Sequence, residues 1–311
     1  MTVVVAMLTY RRPEDLARAV PAFLEQAAPR GAGLLVVDND PDASARPYVE
    51  GLADERVRYV HEPRPGIAAG RNRALAECAD ADLLVFVDDD ETPEPGWFDA
   101  LLAEYDRTRP AAVVGAVVSR FPGEVEDWVH AGRFFERRRL RTGTEVDVAA
   151  TNNLLLDVRQ VAGLEFDERF GLSGGSDTLF TRTLARRGGR MVWCDEAVVV
   201  DHVPQDRATP GWVLARARRS GNSAARAELA LAQGTVERAR LRLAYVARGA
   251  VRVVGGGLRV VLGTVRRDRV VALVGRRNIS RGLGMLGGAL GHVVVEYARP
   301  GAVSVPDAAR R

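Results

Sequence analysis

The chain contains no lysine: each of its 44 basic residues is arginine. GC-rich coding accounts for that, so arginine over lysine carries no mechanism. Cysteine is nearly absent too. Only Cys78 and Cys194 occur, far apart and without the paired spacing of a zinc site or a disulfide framework, which fits core thiols in a reducing cytosol. The N-terminal stretch MTVVVAMLTYRRPEDL lacks a basic leader and a small-residue cleavage site, and its apolar run is too short for a signal sequence. It reads as a first strand. Apolar runs of membrane-spanning length are missing as well: after Pro210 no 18-residue stretch is free of charge before Gly282, and His292 and Glu296 interrupt the last one, which argues against a spanning helix. There is no internal repeat and no low-complexity tract.

What is present is enough for a sizeable core, since 47% of the 311 residues are apolar. Charge is unevenly spread. Residues 1–206 hold 24 Arg against 36 acids, and residues 207–311 hold 20 Arg against 5. Such a split describes an acidic body followed by a basic tail suited to an anionic surface. The tail lacks the aromatic interleaving of a stacking platform, which argues against the competing reading of a nucleic-acid binder.

Along the body, short β-branched runs (TVVVAMLTY, GLLVVDND, VRYVHEP, LLVFVDDD, AAVVGAVVS) alternate with amphipathic helical stretches. Continuous apolar strands between such helices predict an α/β fold with a mostly parallel sheet buried on both faces. Ligands of such sheets meet the carboxyl ends of the strands, and those ends carry Thr9-Tyr10-Arg11, Asp38-Asn39-Asp40 and Asp88-Asp89-Asp90. Beyond Ser119 the pattern loosens through RFFERRRLRTGTEV. It recovers as VDVAATNNLLLDV, a helix opening at SGGSDTLFTRTLARRGG, and a strand pair RMVWCDEAVVVDHV. After Pro210 a helix is followed by Val/Leu/Gly sequence in which Arg238, Arg252, Arg259 and Arg266 recur at multiples of seven, the pattern of a helix lying in a membrane plane. Gly255-Gly256-Gly257 is expected to break or bend that helix. A plain helical subdomain is the competing reading. The predicted organisation is a domain over 1–209, whose second half (121–209) completes the site begun by the first (1–120), and a helical Arg-rich region over 210–311.

The run LLVFVDDDET poses the sharpest question, because four adjacent carboxylates, Asp88 to Glu91, repel one another at the exit of a buried strand. Two acids at such an exit can share one hard divalent cation, Mg²⁺ or Mn²⁺, leaving coordination positions for the oxygens of a nucleotide diphosphate. A solvated turn capping the next helix is the bland alternative, and Glu91 and Glu94 could fill it alone. Asp38 could accept hydrogen bonds from a base or ribose, or simply form a turn. In PRPGIAAGRNRAL, Arg71 and Asn72 project from the first turns of a helix where a diphosphate could meet them; a surface salt bridge is the plain reading of Arg71.

The ordered set LTYRR, VVDND, PGIAAGRN, VFVDDDETP, FDERFGLSGGSDTLF and VVVDHVP resembles the family 2 glycosyltransferases of GT-A fold, over roughly residues 2–225. That resemblance implies a Rossmann-like nucleotide domain with Thr9, Tyr10 and Arg11 lining the pocket, Asp38 on the uracil or ribose side, and Arg71 and Asn72 against the nucleotide. Asp88 and Asp90 match the family's D-x-D metal pair, with Asp88 and Asp89 also on the nucleotide-sugar side, and His202 matches a histidine that completes the metal site in some members. Asn152 and Asn153 resemble a segment lining the sugar and acceptor side. Gly174-Gly175-Ser176-Asp177 matches G-G-E-D, whose last Asp is the general base of inverting members; Ser176, on the acceptor side, stands where Glu is usual. Asp177 also fits the acid expected at a helix N-terminus. Trp128 and Trp212 read as core residues and are left out of the site.

The implied reaction is a metal-dependent, inverting transfer from a nucleotide sugar, a UDP-hexose in the first instance, to a hydroxyl of a glycan or polyprenyl-linked acceptor in cell-surface polysaccharide synthesis. The enzyme would work in the cytoplasm on the inner face of the plasma membrane. A sugar nucleotidylyltransferase needs a glycine-rich basic loop after the first strand, and MLTYRRPEDL has no glycine there. A degenerate transferase that binds donor without turnover is the other competitor, hinted at by Ser176.

Overall fold

A computed structural model describes residues 1–295; Glu296, which the sequence reading invoked, and the rest of the predicted 210–311 region past Val295 lie outside them. The first half of the chain runs β1 (Val3–Thr9), α1 (Pro13–Ala27), β2 (Gly33–Asp38), α2 (Arg46–Gly51), β3 (Val57–His61), α3 (Ile67–Glu77), β4 (Leu83–Asp88), β5 (Glu91–Pro93), α4 (Trp97–Thr108) and β6 (Ala112–Arg120). It continues with α5 (Asp127–Ala131), β7 (Glu145–Val146), β8 (Asn153–Asp157), α6 (Ser176–Arg186), β9 (Met191–His202), α7 (Pro210–Ala230), α8 (Thr235–Val265) and α9 (Arg269–Ala289).

The strands form one sheet in the order β3-β2-β1-β4-β8-β6-β9-β5, with β7 on β9. Its first four strands are parallel, as their unbroken apolar runs require. Beyond them the sheet is mixed, because β8 enters antiparallel between β4 and β6. The expected strand pair after Arg190 is a single strand, β9, with a bulge: Gly115 faces Cys194 but Ala116 faces Val198. The intervening acids find partners off the ladder, Asp195 with Arg139 and Glu196 with Thr142.

Alternation along β4 shows how both faces are filled. Leu83, Val85 and Val87 pack with Leu16, Phe23, Trp97 and Leu101 of α1 and α4. Leu84 and Phe86 face the other way, onto Leu154, Leu156, Phe166 and Phe180. Both cysteines are buried and free, and burial pushes each thiol up to about 11.

The chain divides into two compact units. One comprises Met1–Arg120, Glu136–Glu168 and Phe180–Val203; the other comprises Phe121–Phe135, Arg169–Leu179 and, of the described residues, 204–295. The boundary drawn at 209 therefore differs from the observed one, since two internal segments join the C-terminal unit. Within that unit Trp128 is buried and packs edge-on against Phe134, and Trp212 stacks on Phe135.

The three glycines at 255–257 do not break α8, which runs unbroken for 31 residues. Packing explains this. A Cβ on Gly256 would meet the carbonyl oxygen of Gly275 at 2.7 Å, and one on Gly282 would meet that of Gly249 at 2.6 Å. Backbone contact between α8 and α9 thus offsets the conformational cost of glycine in a helix. Gly255 and Gly257 face open space. Two opposite outcomes are expected in urea unfolding of the full chain: Gly257→Ala stabilises by about 0.5–1 kcal/mol, whereas Gly256→Ala, one position away, destabilises.

Candidate active site

Strand register gathers the polar strand ends along one edge. Thr9 lies opposite Asp38, Asp38 opposite His61, and Leu8 opposite Asp88. The antiparallel entry of β8 brings its first residue, Asn153, beside Val87 at that same edge. Close contact of α3 with β1 depends on Gly70, where a Cβ would meet Leu8 Cδ2 at 2.8 Å.

The acidic run does have cations. Arg12 Nη1 donates to Asp89 Oδ1 and to Asp90 Oδ2, both at 2.9 Å, and Thr9 Oγ1 donates to Asp89 Oδ2 at 2.8 Å. Against the cost of burial, the two carboxylates hold the Arg12 guanidinium above its ordinary value. These contacts do not neutralise the cluster. Burial, then the charge of Asp90, pushes Asp88 up to about 7, with Arg71 as the first opposing charge. Burial pushes Asp89 up to about 6 against the pull of Arg12. Glu91, 1% exposed, is held well above the usual carboxylate range by burial and then by Asp88. Its Oε1 accepts from Asn152 Nδ2 at 2.6 Å, while its Oε2 is buried with no partner among the described residues. Arg137 pairs with Asp201, which faces Glu91 across the β5–β9 ladder.

Several predicted residues are already engaged. Asp38 is fully buried and accepts from the Asp40 and Ala45 amides and the Tyr59 hydroxyl at 2.8–3.0 Å, so it organises its own loop and keeps one acceptor position of about four. Arg11, in the left-handed region at φ 53°, reaches Asp40 and Asp42 and stacks beside the Tyr10 ring. Arg71 is buried over Phe166, and Asn72 makes a two-way amide pair with the Phe166 backbone. Asn153 faces the core: its amide bridges Ala116, Ala197 and the Trp97 indole. The His202 ring lies 2.7 Å from Thr92 Oγ1, and burial, then Arg18 and Arg120, lowers its pKa.

Among the described residues no group of three His, Cys, Asp or Glu side chains is already arranged to hold a metal, and the His202 ring is engaged with Thr92. The pair still suits a divalent ion. Asp88 receives no hydrogen bond among the described residues, and its crowding by Asp90 is the strain that a shared cation relieves. Mg²⁺ and Mn²⁺ sites built on substrate phosphates need one or two protein carboxylates.

Asp177 belongs to the other unit. It opens α6, half-buried, with Oδ1 accepting from the Thr178 amide at 2.7 Å. Gly174 and Gly175 precede it at φ 73° and 96°, conformations that glycine adopts without strain. Ser176 is fully buried, a place that suits a small side chain better than the glutamate of the pattern.

Sequence reasoning missed Arg12, Arg137 and Tyr59, and read Glu91 only as part of the acidic run or as a helix cap. Arg12 follows a motif residue and precedes the Pro13 that starts α1, which is a usable signal. Arg137 has none, being one of three consecutive arginines.

The mixed sheet with acids at the mouth of a central strand has the GT-A fold that its solved structural neighbours share. The model of the family described as glycosyl transferase family 2 matches residues 4–158. The succinoglycan biosynthesis protein ExoM of Rhizobium meliloti (strain 1021) is 35% identical over 226 residues, 70% of this chain and 72% of that protein. Among solved structures, the mannosyltransferase PcManGT from Pyrobaculum calidifontis, in complex with GDP-Man and Mn²⁺, matches at a TM-score of 0.56 and 19% identity over 90% of this chain and 85% of that one. S. aureus TarS 1-349 in complex with UDP-GlcNAc matches at 0.51 and 15% identity over 90% of each. The chain spans 42% of the longer TarS chain. The chain belongs to glycosyl transferase family 2.

Raised carboxyls give a signed pH dependence. Asp88 binds its proton more tightly folded than unfolded, so without divalent ions its contribution to stability falls as pH rises from about 4 through about 7. Asp88→Asn removes that penalty. In chelator-containing buffer the variant should gain on the wild type by on the order of a few kcal/mol between pH 5 and pH 8; a constant difference across urea melts in that range would contradict the assignment.

Proposed function

We propose that this glycosyltransferase is metal-dependent and inverting. It moves a hexose from a nucleotide donor, UDP-linked in the first instance, to a hydroxyl of a glycan or polyprenyl-linked acceptor in cell-surface polysaccharide synthesis, at the cytoplasmic face of the plasma membrane. The observation that carries this reading is the Asp88–Asp90 pair at the end of β4, two carboxylates whose mutual repulsion calls for a cation. It is supported by the Mn²⁺ and nucleotide sugars named with PcManGT and TarS and by the succinoglycan role in the name of ExoM.

In this reading Asp88 and Asp90 hold Mn²⁺ or Mg²⁺, which when bound neutralises charge developing on the leaving diphosphate. Arg12 keeps Asp89 and Asp90 in place through its hydrogen bonds. Thr9 fixes the other face of Asp89, and Arg71 sets the charge beside Asp88. Asn152 lines the sugar side from its bond to Glu91. Asp177 takes the proton of the attacking hydroxyl. One base suffices for a single displacement, which inverts the anomeric centre.

The test is transfer from a panel of nucleotide sugars to a lipid-linked acceptor pool. Asp177→Asn should lose about 10²–10⁴ in rate while still binding UDP. Undiminished transfer by the variant sinks the base assignment, and donor that binds to the wild type without ever being transferred points to the degenerate reading.

A further inference from the structure

The C-terminal unit carries a second feature, separate from the acids of the sheet edge. One side of α8 is sealed by glycine: Gly249, Gly256 and Gly263 press against Gly282, Gly275 and Ala272 of α9. On the opposite side Leu243, Val251, Val254, Leu258, Val261 and Val265 are each 63–77% exposed. Their spacing of three, four or eight residues keeps them on one stripe, about 33 Å long at the rise of an α-helix. Soluble chains rarely leave so long an apolar stripe open unless it meets a partner.

Charge identifies the partner. From Arg238 to Arg281 the chain holds twelve arginines against one acid, Asp268. Arg252, Arg259, Arg277 and Arg281 make no ion pair among the described residues. Arg252 sits at the seam, where a Cβ on Gly282 would meet its Cβ at 3.1 Å. Burial, then Arg281 and Arg259, lowers the pKa of Arg277, and burial, then Arg252, lowers that of Arg281, so these cations sit close enough to repel. A second copy docked face to face would set this row against itself. The aromatic ring of α8, Tyr245, is buried in the seam and offers no stacking surface to a nucleic acid. No helix among the described residues is long and apolar enough to cross a membrane.

We infer that the α8–α9 hairpin is a docking surface for an anionic phospholipid bilayer: the stripe from Leu243 to Val265 enters the interface, and Arg252, Arg259, Arg277 and Arg281 take lipid phosphate oxygens. For its purpose this rests on the reading of a lipid-linked acceptor. A helix with an apolar stripe flanked by arginine binds in the plane of such a surface, and its attachment depends on both parts.

Co-flotation of the full chain with phosphatidylcholine vesicles, with and without phosphatidylglycerol, tests it. The wild type should float with the mixed vesicles alone. Replacing the four arginines by glutamine should weaken that binding by about three orders of magnitude. The variant Val254→Gln/Leu258→Gln/Val261→Gln changes only exposed positions, so it keeps its fold, and it should lose at least about a hundred-fold together with the salt-resistant fraction. Three results would overturn the proposal: no flotation of the wild type, equal flotation with both vesicles, or a light-scattering dimer that the stripe variant abolishes while vesicle binding is absent. UDP calorimetry on the same preparations separates the outcomes, because intact donor binding with failed flotation removes the lipid surface alone.

Discussion

Like charge packed at the mouth of β4 is the constraint around which the body of this enzyme is arranged. Asp88, Asp89, Asp90 and Glu91 follow a strand whose preceding residues are buried, so their charge is only poorly shielded by water. The chain sets Arg12 against Asp89 and Asp90, Arg71 within the field of Asp88, and Arg137 near Glu91 and Asp201. Each cation arrives on a different segment: Arg12 at the start of α1, Arg71 on α3, and Arg137 on the irregular stretch before β7. The antiparallel course of β8 has the same consequence, since it delivers Asn152 to the one Glu91 oxygen that is bonded.

Much of this was legible in the sequence, for reasons that differ by residue. The parallel strands announced themselves because burial on both faces leaves no polar alternation, as in Leu83–Val87. The acids at the strand exits were visible because no local propensity accounts for them. The antiparallel entry of β8 was not visible, because a short apolar run such as Asn153–Asp157 is the same in either direction; only its neighbours decide. Asn72 and Asn153 drew attention as polar residues near motifs, yet their amides are bonded to the Phe166 backbone, to two strand carbonyls and to an indole. Sequence shows that a polar side chain exists, and packing decides what it bonds.

Glycine gave the most misleading signal. Three in succession in α8 read as a break when propensity alone is weighed, but the middle one touches the backbone of α9. A seam built on backbone approach needs little apolar burial between the helices, which leaves the valines and leucines of α8 free for its outer side. The unit therefore tolerates an exposed apolar stripe that an ordinary bundle would have turned inward.

The central claim is that Asp88 and Asp90 form a binding site for a divalent cation through which the donor's diphosphate is gripped. Calorimetric titration of UDP into the full chain, with Mn²⁺ and then with chelator, tests it most directly. The account predicts tight binding with Mn²⁺, loss of at least an order of magnitude without it, and no Mn²⁺ effect in Asp88→Asn. Equal UDP affinity in all three measurements would contradict it.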